Sequence, residues 1–366
     1  MTMPKNEIHG TRVPIARKLR VLLLTIAAVL FLLLIPTAQT RRQETLQGET
    51  MGTTYTVRFR KPEGRRWPQD ETDRLARRIE TCLADVNARM STYRPDSELS
   101  QFNQSPADVP FELSPETFEV FEAALAVSDQ SAGAFDVTVG PLVNAYGFGP
   151  PPEPPEPPTT EELETLRQRV GYRLLVLDPQ SRTLRKTHAD VYCDLAGIAK
   201  GYGVDRVVAV LEADGLTDYM VEIGGEVRAA GRNPEGRVWR IGIERPTRDG
   251  RRVVMRAIEL ADRALATSGD YRNYYIADGR VYSHMIDPRT GGPVEHALAS
   301  VTVLDARAMV ADAWATALMV LGPDEGYNLA EARGMAALFL VRTAEGDIVE
   351  RATNAFSTLA ATPAKP

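Results

Sequence analysis

A mixed α/β fold, a sheet with helices packed against it, is what this sequence of 366 residues predicts. Stretches alternating between apolar and polar residues are interleaved with stretches whose apolar residues recur every three or four positions, the periods of strand and helix. The composition, 43% hydrophobic and 25% charged, is that of a globular chain. No repeat of fixed period runs through it.

The net charge of −6 is unevenly placed. Residues 1–42 hold seven Lys/Arg against one acidic residue, and the remainder holds 36 basic against 48 acidic. An acidic body excludes nucleic-acid binding, whose affinity rests on basic side chains against phosphates. Two cysteines, Cys82 and Cys193, are too few for a four-thiolate zinc site or a disulfide scaffold; a single disulfide stays open. The histidines, His9, His188, His284 and His296, lack an HExxH spacing, so any metal is expected to be a hard cation on oxygen ligands.

Taken in order, residues 21–35 are apolar except for Thr25 and follow Arg12, Arg17, Lys18 and Arg20. This reads as a signal sequence or a retained anchor, with the basic flank cytoplasmic and the body exported. Residues 45–60 read as a strand with Tyr55, Val57 and Phe59 on one face, and 71–90 as a helix with a stripe of Leu75, Ile79, Leu83 and Val86. A helix over 115–128 opens with Ser114 as cap and Pro115 in first position. Residues 150–158 contain seven prolines and predict a stiff, exposed polyproline segment. A helical pattern resumes at 159–170, so the prolines form an insertion within one domain over 43–352. Strands are expected at 173–177, 183–187 and 191–193, then a helix at 198–214. Further strands follow at 219–223, 226–231, 239–244, 253–260, 264–267, 273–277 and 299–304. A helix at 309–321, a last helix and strand within 326–342, and a loose tail at 353–366 complete the chain.

Phosphate loops of the GxxxxGK[ST] type, GxSxG elbows and a GxGxxG after a strand are absent. What remains is a set of polar clusters punctuated by glycine. In the first, a strand ends at Asp194, and a helix then begins with Lys200 in its first turn. Helix-start amides and a lysine suit phosphate oxygens, although capping alone would also explain Asp194. In the second, Asp312 and Thr316 lie four apart on one helical face, a pair of hard oxygens that suits Mg²⁺; an Asp near a helix start is equally expected from the helix dipole. In the third, His284 precedes an Asp-Pro turn and can serve as a general base or as a structural hydrogen-bonder. Tyr93 and Phe135 can stack on an aromatic ligand or simply fill core.

Together these stretches resemble the ApbE family, the FAD:protein FMN transferases. The resemblance runs in order from MGTTYTV at Met51 through MSTYRPDSELSQFN, GAFDVTVGPLVNAYGFG, DLAGIAKGYGVD and IGGEVRAAGR. It continues through WRIGIERP, ATSGDYRNYY and YSHMIDPRTGGP to DAWATALMVLG, so that it covers roughly Met51 to Leu321. It implies an ApbE-like flavin transferase fold and FAD as donor substrate with Mg²⁺ as cofactor. The implied reaction joins FMN through a phosphoester to a Thr or Ser of an acceptor protein, releasing AMP. It implies FAD contacts at Met51, Tyr93, Ala134, Phe135, Asp136, Asp194, Lys200 and Ile286. Magnesium ligands are implied at Gly197, Asp312 and Thr316, and a catalytic role at His284. The implied acceptors are redox-complex subunits or flavin carriers on the outer face of the bacterial inner membrane. Unlike many members, this chain has no lipoprotein cysteine after the apolar run. An FAD pyrophosphatase giving FMN and AMP, and an exported flavin-binding protein without turnover, are the competing readings.

Overall fold

Alternation of apolar and polar residues begins at once in β1 (Gln43–Thr50) and β2 (Thr53–Arg60), which pair as a hairpin around Met51-Gly52. Both turn residues have positive φ, 50° and 70°, the two-residue geometry that matches strand twist. The single strand expected over 45–60 is therefore two, because this turn carries no Pro or Asn-Gly to announce it. The computed structural model describes residues 43–361, except 63, 65, 66, 151–156, 248–250 and 252. The apolar run at 21–35, most of the proline segment and the last five residues lie outside the described residues.

Helix α1 (Gln69–Met90) buries the expected stripe of Leu75, Ile79, Leu83 and Val86. Next come α2 (Glu98–Gln104), the short β3 (Phe111–Glu112) and α3 (Pro115–Gln130), whose cap Ser114 accepts from Thr117 N. Helix α4 (Gly140–Ala145) precedes the proline segment, and α5 (Thr160–Arg167) follows it behind a capping box of Thr159 and Glu162. β4 (Leu175–Asp178) and β5 (Thr183–Lys186) join β3 in a small three-stranded sheet. Residues 191–193 form no strand: Asn103 bonds both the Cys193 amide and its carbonyl, so a side chain replaces the ladder there.

Helix α6 (Ala196–Ala213) leads into β6 (Tyr219–Ile223) and β7 (Glu226–Ala230). β8 (Trp239–Glu244) and β9 (Val254–Leu260) pair only with each other, and β10 (Arg263–Gly269) returns to the main sheet. The hairpins β11 (Tyr274–Ala277) with β12 (Arg280–Ser283), and β13 (Ile286–Asp287) with β14 (Gly292–Pro293), stand apart from it. β15 (Leu298–Asp305) precedes α7 (Ala308–Ala332), which is interrupted at Gly322-Pro323, where Gly322 has a φ of 83°. β16 (Ala336–Arg342), β17 (Ile348–Ala352) and α8 (Asn354–Ala361) finish the described chain. The tail expected to be loose from 353 is thus helical to 361, anchored by the fully buried Phe356.

The main sheet has eight strands in the order β1-β2-β6-β7-β10-β15-β16-β17, every neighbouring pair antiparallel. Both faces are covered, which is why β15 is buried along almost its whole length and β16 reads as a nearly continuous apolar run. Val57, Phe59, Val221 and Ile223 meet α1 and α6 on one face, and Val301, Val303 and Phe339 meet α7 there. On the other face Met220, Leu265, Leu338 and Leu340 pack against Trp239 and Ile258 of the β8–β9 hairpin and against Phe356. The site lies where α6 and α7 cross the helical face.

Candidate active site

Two glycines let α6 and α7 come together. A Cβ on Gly201 would lie 2.3 Å from the Ala308 carbonyl oxygen and 2.8 Å from Asp312 Cβ, so only glycine permits this approach. Gly201 N then donates to Asp312 Oδ2 at 2.9 Å. An α-helix directs that same amide at the Gly197 carbonyl, so Asp312 competes for it and leaves the carbonyl less committed. A Cβ on Gly197 would lie 3.2 Å from Thr316 Oγ1 and 3.1 Å from the Phe135 ring. Thr316 Oγ1 is in turn 3.3 Å from Ser268 Oγ at the end of β10. The α6–α7 junction is fixed from behind by Asp205, whose carboxylate accepts from Ala308 N and Met309 N at the start of α7 and from Arg228.

Charge in this region is unbalanced. Lys200 Nζ lies 3.0 Å from Glu226 Oε1 and 3.7 Å from Asp312 Oδ1; the carboxylates are 4% and 3% exposed, the lysine 30%. Burial raises the pKa of both carboxyls against the opposing charge of Lys200. Burial also opposes the ammonium, but Asp312 and Glu226 outweigh it and hold Lys200 above its ordinary value. Two buried acids thus share one cation, and Glu226 Oε2 is buried without a partner. The Gly197 carbonyl, Asp312 carboxylate and Thr316 hydroxyl beside this excess negative charge form a hard-oxygen donor set that fits Mg²⁺. Among the described residues no group of three or more His, Cys, Asp and Glu is arranged to hold a metal, so such a site depends on these mixed donors.

His284 lies just beyond β12. Its Nδ1 is 3.0 Å from the Asn273 carbonyl, an oxygen that can only accept, so Nδ1 carries the proton and Nε2 the lone pair. Burial pushes its pKa below the ordinary value against the Asn273 bond; Lys200 pushes the same way and Asp270 the other. Phe148 stands edge-on to the ring at 6.3 Å, beside the stacked Tyr275 and Tyr282.

The other sequence-derived residues divide. Met51 packs on α6, where a Cβ on Gly203 would lie 2.6 Å from its Cε. Tyr93 is 66% exposed and, with Thr92, Asn103, Pro150 and Tyr192, lines a cleft of about 540 Å³, a size typical of ligand sites. Asp194 is near enough to raise the pKa of Tyr93, whose own burial contributes more. Its Oδ1 accepts from Ala196 N, the first residue of α6, at 2.8 Å, but Asp194 stands one residue before the N-cap, Leu195, which has no side-chain cap. Ala134 and Phe135 are buried, the latter against Gly197. Ile286 packs with Leu142 and Tyr146. The Asp136 carboxylate is taken by structure: Oδ1 accepts from Thr138 N and Oγ1, and Oδ2 from Tyr172 N. Glu226, Ser268 and the Asn273 carbonyl were not singled out from the sequence, although all three lie within the glycine-punctuated stretches. Cys82 and Cys193 are both free thiols.

This helix-covered antiparallel sheet, with its oxygen-lined junction of α6 and α7, defines a protein with the flavin-transferase fold. The flavin transferase ApbE from Vibrio cholerae superposes with a TM-score of 0.79 at 44% identity, over 87% of this chain and 99% of that one. The apo form of the Pseudomonas stutzeri flavinyl transferase ApbE gives 0.79 at 40% identity, over 88% and 98%. In sequence, the FAD:protein FMN transferase of Vibrio cholerae is 45% identical over 321 residues, 88% of this chain and 94% of that protein. The protein of the same name from Haemophilus influenzae is 43% identical over 320 residues, 87% and 91% respectively. The ApbE family model matches residues 51–339, and the chain belongs to the ApbE family.

Proposed function

We propose that this chain is an FAD:protein FMN transferase, in which a Thr or Ser hydroxyl of an acceptor protein attacks the FMN phosphorus of FAD. The observation that carries the reading is the pair of buried acids sharing Lys200 beside the close approach of Gly197 and Thr316. Nε2 of His284 takes the hydroxyl proton, the new phosphoester oxygen bond forms, and the anhydride bond breaks with AMP leaving. Lys200 offsets charge on the diphosphate oxygens. Gly197, Asp312 and Thr316 would hold Mg²⁺, which when bound supplies further charge neutralisation at the diphosphate. The cleft beside Tyr93 offers an aromatic wall for a flat ring system.

The catalytic body belongs, in this reading, on the extracytoplasmic side of the bacterial inner membrane, its acceptor a redox-complex subunit or flavin carrier there. The basic flank and apolar run of residues 12–35 support that placement.

The test is intact-mass analysis of an acceptor domain incubated with the full-length chain, FAD and Mg²⁺. A Mg²⁺-dependent gain equal to FMN less water, lost with Asp312→Ala, is the expected result. Free FMN and AMP without an adduct would favour the pyrophosphatase reading, with water in place of the acceptor hydroxyl, or mean that this acceptor is the wrong one. FAD bound and left whole would overturn both enzymatic readings.

A further inference from the structure

The orientation of His284 hangs on one main-chain oxygen. The Asn273 carbonyl accepts from His284 N at 3.1 Å and from Nδ1 at 3.0 Å, so the ring and its own backbone share an acceptor. Asn273 ends the four-residue connection between β10 and β11. That connection begins at Asp270, which is buried and grips Arg342 through two parallel bonds, Nη1 to Oδ2 at 2.7 Å and Nη2 to Oδ1 at 2.5 Å. Asp270 N also donates to the Ala299 carbonyl at 3.2 Å. Arg342 is itself fixed as the last residue of β16, with its amide on the Ala297 carbonyl at 2.9 Å and Ile348 as its cross-strand partner. β15 separates β10 from β16, so the guanidinium reaches across a strand to hold the connection. A forked pair of this kind fixes direction as well as distance, which a lysine cannot do. Arg342 lies outside the residues 51–339 that the family model matches.

We propose that Asp270 and Arg342 are positioning residues for His284: their ion pair fixes residues 270–273, so that the Asn273 carbonyl holds the imidazole in its Nδ1–H form with Nε2 as proton acceptor. The inference rests on the reading of His284 as the base. Two charges face the ring: Asp270, which favours its protonated form, and Lys200 of α6, which opposes it. Arg272, within the same connection, is also tied to Glu244 of β8 at 2.7 Å. Removing the Arg342 guanidinium therefore loosens the connection at its first residue and leaves the Asp270 charge unneutralised near the imidazole.

The experiment reads ring-nitrogen shifts by NMR in full-length chain labelled with ¹⁵N-histidine, the His284 signals being assigned with His284→Gln. The wild-type protein shows the Nδ1–H tautomer. Arg342→Gln mixes the tautomers and lowers kcat for FMN transfer on the order of tenfold to a hundredfold, while KM for FAD stays near its wild-type value. Arg342→Lys, which restores charge but not the fork, falls between. Asp270→Asn, isosteric with the native side chain, moves the tautomer and kcat the same way and decides the matter where Arg342→Gln does not fold. Wild-type tautomer and kcat in a folded Arg342→Gln or Asp270→Asn protein would overturn the proposal. Failure of the base reading is seen separately: His284→Gln transferring at full rate removes the proton-acceptor role, and the ring shifts still decide whether the pair orients the imidazole.

Discussion

At the scale of single residues, the assignment of His284 as base fixes the sign of a pH dependence. Burial lowers its pKa from the ordinary 6.5, and the neutral ring is the competent form. The limb due to His284 should therefore be centred below pH 6.5, as acid protonates Nε2, while Glu226, pushed up to about 7 by burial, adds a separate limb. Measuring kcat/KM against pH in the wild type and in Glu226→Gln checks this, and an acid limb still centred above 6.5 in Glu226→Gln would contradict it. His284→Ala should cost roughly a hundredfold or more in transfer rate, the usual worth of a general base, with FAD binding kept. Gly197 came only with the family resemblance, whereas Asp312 and Thr316 were legible in the sequence because they lie one turn apart on α7, and Lys200 because it falls near the start of α6. Glu226 and Ser268 were not, because they reach the site from strands. No helical or strand period links position 226 to 200, or 268 to 316. The carboxylate of Asp136 bonds both nearby Thr138 and distant Tyr172, a partner that its sequence stretch gave no means of finding.

At the scale of elements, the contact of α6 with α7 is the feature most exposed to a single change. Gly201→Ala adds a methyl where backbone stands 2.3 Å away. The gain in helix propensity, about 1 kcal/mol, is smaller than the overpacking penalty of about 1–3 kcal/mol, so the variant should melt lower. Because the helices must part to admit the methyl, the Gly201 N to Asp312 bond should go with it, and Mg²⁺-dependent transfer should weaken. Thermal unfolding and Mg²⁺ titration together test this; an unchanged melting temperature would refute it. Lys186 plays a comparable part between α2 and the segment before Asp194. Its fully buried ammonium donates to the carbonyls of Asn103, Ala189 and Val191 at 2.6, 2.8 and 3.2 Å. Lys186→Met leaves those acceptors without their donor and should destabilise the fold by about 3 kcal/mol, read by denaturant unfolding. Strands such as β6 and β8 were legible to the residue because alternation and flanking turns agree. The β1–β2 turn, the absent strand at 191–193 and helix α8 were not, since each depends on a partner distant in sequence or on an unmarked turn.

At the scale of the whole molecule, two parts of the chain carry opposite charge, and the boundary near residue 42 organises the last expectation. Residues 1–42 are net basic and contain the apolar run, while the remainder is net acidic. No helix among the described residues is long and apolar enough to cross a membrane. Under the proposed extracytoplasmic placement, attachment would rest on the apolar run of residues 21–35, with the basic flank inside and the acidic body outside. The full-length chain should then sediment with membranes and resist a carbonate wash if the leader is retained. If the leader is cleaved, the body should appear in the extracytoplasmic soluble fraction with a correspondingly shortened mass. Val29→Arg puts a charge in the middle of the run at a cost of about 2.5–3.5 kcal/mol, so export should fall in either case. Protease added to intact spheroplasts distinguishes the placements. Digestion of the body in the wild type and protection in Val29→Arg agree with an outward-facing site, where the acceptor hydroxyls would have to be presented. Protection of the wild-type body would place the enzyme inside and require a cytoplasmic acceptor instead.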